Sequence, residues 1–176
     1  KSPLVLPAQA LAALIAGEWD AQAKVIDLAQ MPATRRAFTA IDQIPPARNA
    51  VADEIASYAG SDVLCYFAAA PAALVERQAA QWGPLLDWAR IELGFDLVRA
   101  EGVIHRPQPP TTLERARALA LGADDMTLTA LAEATALFGS AVLAFAVQRG
   151  RLSAQEALDL SRLDEIFQIE QWGVDE

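Results

Sequence analysis

Apolar residues recur along most of the chain at intervals of three and four, which is the spacing of amphipathic helices. Proline and glycine positions then divide the pattern into segments. We predict helices over about 8–28, 46–59, 71–93, 112–121, 124–148 and from 153 onwards, with a short additional helix beginning at Thr34. Pro84 falls inside the helix predicted over 71–93 and should kink or break it, because proline lacks a backbone N–H. Ser153 and Glu156 form a capping box that opens the last helix.

Two short runs are typical of strands instead, because they are rich in β-branched and aromatic residues. These runs are DVLCYFA, which begins at residue 62, and FDLVRAEGVI, which begins at residue 95. We predict that residues 62–67 and 95–99 pair as a small β element, and that PLVLP at 3–7 is the end of another strand. The predicted fold class is mainly α with a small β element (α+β).

The helix predicted over 124–148 is apolar on nearly all sides, which is typical of a membrane span or of a buried central helix. Glu133 interrupts it, and the uncharged stretch that follows ends at Gln148. That stretch is shorter than the ~20 residues needed to cross a bilayer. We therefore predict a central core helix and no membrane insertion. Gly139 and its small neighbours would let another helix pack close to it.

The net charge is −9, from 23 acidic and 14 basic residues, and no run of lysine or arginine occurs. A nucleic-acid surface needs clustered basic residues, so we exclude this class of partner and expect a protein partner instead. A single cysteine is typical of a reducing compartment. Abundant alanine and scarce lysine are typical of a GC-rich bacterial genome, so we expect a bacterial cytoplasmic protein.

The residue patterns of common active sites are absent. The sequence has neither a G-x-x-x-x-G-K-[ST] loop nor a G-x-G-x-x-G turn, so it predicts no nucleotide cofactor. Its one histidine and one cysteine lie far apart and do not form a metal-ligand cluster. We expect no cofactor and no metal, and we do not expect an enzyme.

One acidic residue of the last helix stands in an apolar stripe. Asp164 shares the helical face of Leu160, Leu163 and Phe167, and an unpaired buried carboxylate costs several kcal/mol, roughly. The pattern leaves two interpretations open. In one, Asp164 forms a salt bridge with an arginine of a neighbouring helix, such as Arg77 or Arg90. In the other, its charge is kept for an outside partner.

Three segments together resemble a known family. They are GEWDAQ (17–22), DVLCYFAAAPAALVERQAAQWGPLLDWA (62–89) and LSRLDEIFQIEQWG (160–173). In this order and spacing they are similar to the assembly chaperones that bind the free α subunit of the F-type ATP synthase. The resemblance implies that a β-rich domain precedes the helices, with residues 1–7 as its end and residues 8–176 as the helical domain.

The same resemblance implies a role that is not enzymatic. Family members shield the surface of the α subunit that later meets the β subunit, and an exposed surface of this kind is prone to aggregate. The resemblance implies a monomeric protein whose eukaryotic relatives occupy the mitochondrial matrix. It also suggests the following client-binding residues: Asp164, Glu165, Trp172 and Trp82.

Three further residues match family motifs and are interpreted as structural. Trp19 belongs to the E-W-D motif, and Pro84 and Leu85 belong to the W-x-P-L motif. Because Trp19 shares a stripe with Leu11 and Ile15, we expect it to be largely buried. Two other functions remain as alternatives: a small enzyme that uses Asp164 or Glu133 as a general base, and a helical adaptor of an unrelated complex.

Overall fold

The computed structural model describes residues 3–102 and 104–173. Within this part of the chain, nine α-helices and two short strands follow one another. The helices are α1 (Gln9–Asp20), α2 (Pro32–Phe38), α3 (Ile44–Gly60), α4 (Ala72–Trp88), α5 (Pro110–Leu121), α6 (Asp125–Phe138), α7 (Ala141–Gln148), α8 (Ala154–Ser161) and α9 (Leu163–Trp172), and the strands are β1 (Tyr66–Phe67) and β2 (Ala100–Glu101).

The fold class predicted from the sequence, mainly α with a small β element, is confirmed. Helix α3 packs against α5, α6 and α7, and these four helices form the centre of the molecule. Helices α1 and α2 lie on one side of this centre, where α2 contacts α6. Helix α4 lies on another side, where it contacts β1 and α9.

The first strand is shorter than predicted and begins later. Asp62 caps a 3-10 turn over Val63–Cys65 by accepting a hydrogen bond from the backbone N–H of Leu64 at 3.1 Å. This turn uses the residues that the sequence assigned to the start of the strand. Only Tyr66 and Phe67 are extended, and they pair in parallel with Ala100 and Glu101.

The second predicted strand, 95–99, is also displaced, and the paired residues are Ala100–Glu101. Gln108 explains why the preceding backbone needs no strand partner. Its side chain accepts a hydrogen bond from the N–H of Val98 at 2.7 Å and donates one to the carbonyl of Val98 at 2.9 Å. One buried amide thus satisfies both backbone groups that a neighbouring strand would otherwise bind.

The start of the chain differs from the prediction as well. Residues 3–7, which were expected to end a strand, have no regular secondary structure. Helix α1 ends at Asp20 rather than near Leu28, and a 3-10 turn over Leu28–Gln30 precedes α2. Periodicity favoured a longer first helix, but the Gln22 side chain donates to the carbonyl of Glu18 at 2.9 Å and accepts from the N–H of Asp27 at 2.8 Å, and these contacts hold a non-helical segment after Asp20.

The long apolar helix predicted over 124–148 is two helices, α6 and α7. Gly139 adopts a left-handed conformation, with φ +61°, that ends α6, and the Ser140 hydroxyl caps α7 by accepting from Leu143 N–H at 3.0 Å. The prediction of one continuous helix was therefore wrong. Every residue from Ala141 to Ala146 is buried, so the predicted central position is correct. Within the described residues, no helix combines the length and apolar character that a membrane crossing requires.

The last predicted helix is also divided, into α8 and α9, which meet at Arg162. Its capping box is confirmed, because Ser153 accepts from the Glu156 N–H at 3.2 Å and Glu156 accepts from the Ser153 N–H at 2.7 Å. Pro84, by contrast, does not break α4. Pro84 has no N–H to donate to the carbonyl of Ala80, one turn earlier. Both residues lie on the exposed side of that helix.

A fully buried carboxylate joins the centre of the fold to the β element. Asp62 accepts hydrogen bonds from the N–H groups of Leu64 and, at 3.0 Å, of Val142 in the first turn of α7. In return, the N–H of Val63 donates to the carbonyl of Gly139 at 3.1 Å. Burial raises the pKa of Asp62 to about 6, although the amide of Val142 and the hydroxyl of Ser140 favour its charged form.

We predict that Asp62→Asn lowers the free energy of unfolding by roughly 2–3 kcal/mol near pH 4, because an amide presents one acceptor oxygen where the carboxyl group has two. The pKa of Asp62 is raised in the folded state, so its contribution to stability is greatest below about pH 4 and is lost as the pH rises through about 6.

The difference in unfolding free energy between the wild type and Asp62→Asn should therefore shrink from pH 4 to pH 7. Urea denaturation at several pH values measures this difference. Asp159→Asn, an exposed change of the same kind on α8, is the control. A difference that grows with pH would contradict the prediction.

Candidate functional site

Helices α4 and α9, which pack against each other, carry most of the residues singled out in the sequence. We call this region the α4–α9 seam and define it by Arg77, Gln78, Asp164, Glu165 and Glu170. The seam lies next to β1, because α4 contacts both β1 and α9.

Asp164 occupies the middle of this seam. It is half-buried between Leu163 and Phe167, whose side chains are buried beneath α9. Its Oδ1 accepts a hydrogen bond from Nε2 of Gln78 at 2.7 Å. Periodicity thus placed Asp164 correctly at the border of the apolar face.

Among the residues that the structure describes, the salt bridge that the sequence left open for Asp164 is not formed. Arg77 binds Glu170 instead, with nitrogen–oxygen distances of 2.5 and 3.1 Å. Arg90 pairs with Asp87, three residues earlier in the chain, at 3.8 Å. The partner of Asp164 is a neutral amide, which the sequence analysis did not consider.

Gln78 is itself fully buried, at 0% exposure, and both ends of its amide are used. Its Oε1 accepts from the N–H of Ala68 at 2.8 Å, immediately after β1. This contact fixes which end of the amide faces Asp164, because only the NH₂ group remains to donate. Gln78 therefore connects the end of β1 to the carboxylate on α9.

The three acidic residues of α9 differ in how their charge is balanced. Glu165 accepts from Arg162 at 2.7 Å, and Glu170 accepts from Arg77. The hydrogen bond from Arg77 lowers the pKa of Glu170. Asp164 has no ion-pair partner among the residues that the structure describes. Among the three acidic residues of α9, Asp164 is therefore the one whose negative charge has no positive partner within the described residues.

Trp82 supports this seam from the interior. It is 1% exposed, and its indole N–H donates to the carbonyl of Leu160 at the end of α8 at 3.0 Å. Its ring meets Phe67 of β1 edge-on, with the centroids 5.7 Å apart. The sequence analysis assigned Trp82 to the client-binding surface. Because the side chain is buried, we reassign it to the core that holds β1, α4 and α8 together.

The other aromatic and motif residues divide between surface and core. Trp172 is 76% exposed at the end of α9, so it is available to a partner. Leu85 is buried on the inner side of α4. Trp19 was expected to be largely buried, and this prediction was wrong, because the side chain is 40% exposed. It lies in the last turn of α1, and Ile15, one turn earlier, is the buried residue of that helix.

Glu18, beside Trp19, is a structural residue that the sequence analysis missed. Its carboxylate accepts from the N–H groups of Ala33 and Thr34 and from the Thr34 hydroxyl, each at 2.7 Å. Partial desolvation opposes its ionisation, but these hydrogen bonds outweigh that effect and lower the pKa of Glu18. Glu18 thus caps α2 from another helix, and local capping patterns do not reveal such a distant partner.

In the part of the chain that the structure describes, the side chains do not support metal binding or acid–base chemistry. No group of three or more histidine, cysteine or acidic side chains is arranged to hold a metal ion there. Glu133, the second candidate general base, lies on the exposed side of α6 and pairs with Arg36. The arrangement offers a charged and partly aromatic surface, which is chemistry suited to binding a protein.

Comparison with known proteins agrees with this surface chemistry. Residues 1–90 match the family model of the ATP12 chaperone protein. The crystal structure of Atp12 from Paracoccus denitrificans is 48% identical in sequence over 99% of this chain and 75% of its own, with a TM-score of 0.92. A mutant of the same protein matches equally well. The Atu1473 protein of Agrobacterium tumefaciens, a putative chaperone, is 45% identical over 100% of this chain and 66% of its own, with a TM-score of 0.90.

The chain therefore belongs to the ATP12 chaperone family. The resemblance found in the sequence is confirmed, and the structural matches extend it over α9, which the family model does not reach.

We predict that Trp82→Phe destabilises the protein by about 1–3 kcal/mol, because it leaves the carbonyl of Leu160 without its indole donor and removes part of a buried ring. Trp88→Phe is the matched control, since Trp88 lies on the same helix and is half-buried. Thermal denaturation of both variants measures the difference. Equal stability losses in the two variants would show that the hydrogen bond to Leu160 is unimportant.

Proposed function

We propose that this protein is an assembly chaperone of ATP synthase that binds the unassembled α subunit and shields the surface that later contacts the β subunit. The observation that carries the proposal is the half-buried, uncompensated carboxylate of Asp164 on α9. The family membership supports it, because the chain belongs to a chaperone family.

The physical rationale concerns the client. A subunit that awaits its neighbours exposes a large and partly apolar surface, and such surfaces aggregate in solution. A chaperone that covers the surface must bind strongly enough to exclude other copies and must release when the true neighbour arrives. Charged contacts at the border of an apolar face suit this task, because they add specificity and speed association.

Helix α9 supplies both charged and apolar contacts. Asp164 and Glu165 provide acidic groups, and the exposed Trp172 at the end of the same helix provides a large apolar side chain. Tryptophan is enriched among the residues that dominate binding energy at protein interfaces. We therefore propose Asp164, Glu165 and Trp172 as client-binding residues, with Trp82 and Leu85 supporting them from the core.

We also propose that the role is not enzymatic, that the protein acts in the bacterial cytoplasm and that it is a monomer. The alternative in which Asp164 or Glu133 acts as a general base gains no support from their positions. Asp164 binds Gln78, whereas Glu133 lies on α6 and pairs with Arg36. The division of the sequence into residues 1–7, as the end of a β-rich domain, and 8–176 likewise remains a proposal.

We predict that Asp164→Asn weakens capture of the α subunit about tenfold, because it removes the charge, while it changes the free energy of unfolding by less than about 1 kcal/mol. The amide retains an oxygen that can accept the hydrogen bond of Gln78. Glu165→Gln should have a smaller effect on capture, because Arg162 already balances the charge of Glu165.

The experiment mixes each purified variant with unassembled α subunit of the same organism and measures the amount kept in solution per folded chaperone molecule. Asp159→Asn on α8 removes one charge outside the seam and serves as the control. Unchanged capture by Asp164→Asn would remove the seam from the client-binding site. Failure of the wild type to capture any α subunit would contradict the proposed function itself.

A further inference from the structure

We propose that Gln78 is a positioning residue that holds Asp164 ready to bind a basic side chain of the client. This inference rests on the function proposed above and specifies the chemistry that the seam recognises. It follows from three features of the seam: the fixed orientation of the Gln78 amide, the uncompensated charge of Asp164 and the engagement of the neighbouring arginines.

The first step concerns orientation. Gln78 is fully buried, and its oxygen is occupied by the N–H of Ala68, so its NH₂ group is directed at Asp164. A buried side chain with both ends bonded cannot turn without losing a hydrogen bond that water does not replace. The carboxylate of Asp164 is therefore held at Oδ1, and its second oxygen retains its acceptor capacity.

The second step concerns charge. A hydrogen bond from a neutral amide orients a carboxylate and leaves its full negative charge in place. Asp164 is half-buried beside Leu163 and Phe167, and partial removal of solvent strengthens its interaction with any charge that approaches. A cation supplied by a partner would be attracted more strongly here than at a fully exposed acidic residue.

The third step concerns competition within the protein. The two arginines of the seam region already have acidic partners, because Arg77 binds Glu170 and Arg162 binds Glu165. An arginine in place of Gln78 would neutralise Asp164 and abolish its attraction for a client. Glutamine holds the carboxylate without neutralising it, and this combination suits recognition of an arginine or lysine side chain of the client.

The test uses the purified chain and the α subunit of the same organism. Gln78→Glu keeps an acceptor for the Ala68 N–H and replaces the donor that faces Asp164 with a like charge. We expect capture per folded molecule to fall about tenfold or more. Gln81→Glu adds the same charge at an exposed position of the same helix and should capture normally.

The double variant Gln78→Glu with Asp164→Asn tests whether the negative charge must lie on α9. It restores a hydrogen bond between the two side chains, now with the amide on α9, and keeps the net charge of the wild type. We expect its melting temperature to return towards that of the wild type while its capture stays about tenfold weaker. A merely structural role for Gln78 predicts instead that Gln78→Glu alone captures normally per folded molecule, and capture that returns in the double variant would show that the position of the charge is unimportant.

The basic nature of the client group is tested by salt. Capture by the wild type should weaken as the ionic strength rises, and Asp164→Asn should show a flatter dependence. Normal capture by Gln78→Glu, recovered capture by the double variant, or equal salt dependence of the wild type and Asp164→Asn would each overturn the inference. If Asp164→Asn itself captures normally, the client-binding role of the seam fails as well, and the two failures are thereby distinguished.

Discussion

The arrangement of this protein depends on one buried carboxylate. Asp62 binds the first turn of α7, the most deeply buried helix, and also caps the turn that leads into β1. The first N–H groups of a helix have no acceptor within the helix, and Asp62 supplies one for α7. The contact therefore fixes where β1 leaves the core, and every element that packs on β1 takes its position from that point.

A continuous set of contacts leads from this carboxylate to the seam. β1 ends at Phe67, which packs edge-on against Trp82, and the next residue, Ala68, orients Gln78. Gln78 in turn holds Asp164 on α9. A surface acidic residue is thus placed by interior groups, and precise placement of a recognition group requires such support.

Helical periodicity was sufficient to predict the fold class and the central position of the apolar segment around 141–146. It failed where a side chain replaced a regular backbone partner. Asp62 converted the start of the first strand into a 3-10 turn, and Gln108 satisfied Val98 in place of a strand. These contacts join residues that are distant in the chain or depend on burial, and local patterns carry no information about either.

Only part of the candidate site could be predicted, because local patterns carry no information about contacts between distant residues. The stripe on the last helix identified Asp164 correctly as an acidic residue beside the core, because helical spacing alone decides which face a residue occupies. It could not identify Gln78, which lies 86 positions away, as the partner. Trp82, which was expected at the surface, is buried, and Trp19, which was expected to be buried, is exposed. The burial of a large aromatic residue depends on which helices cover it.

The attachment of α9 has a consequence for its motion. Only Leu163 and Phe167 of its ten residues are buried, whereas α7 is enclosed on nearly all sides. Helices that bury little apolar surface open locally at a lower free energy than the global unfolding of the protein. The backbone amides of α9 should therefore exchange their hydrogens by local opening, while those of α7 exchange only when the whole domain unfolds. A client that covers α9 would then slow exchange selectively in this helix, so that binding restricts the motion of a loosely held helix and leaves the centre of the fold unchanged.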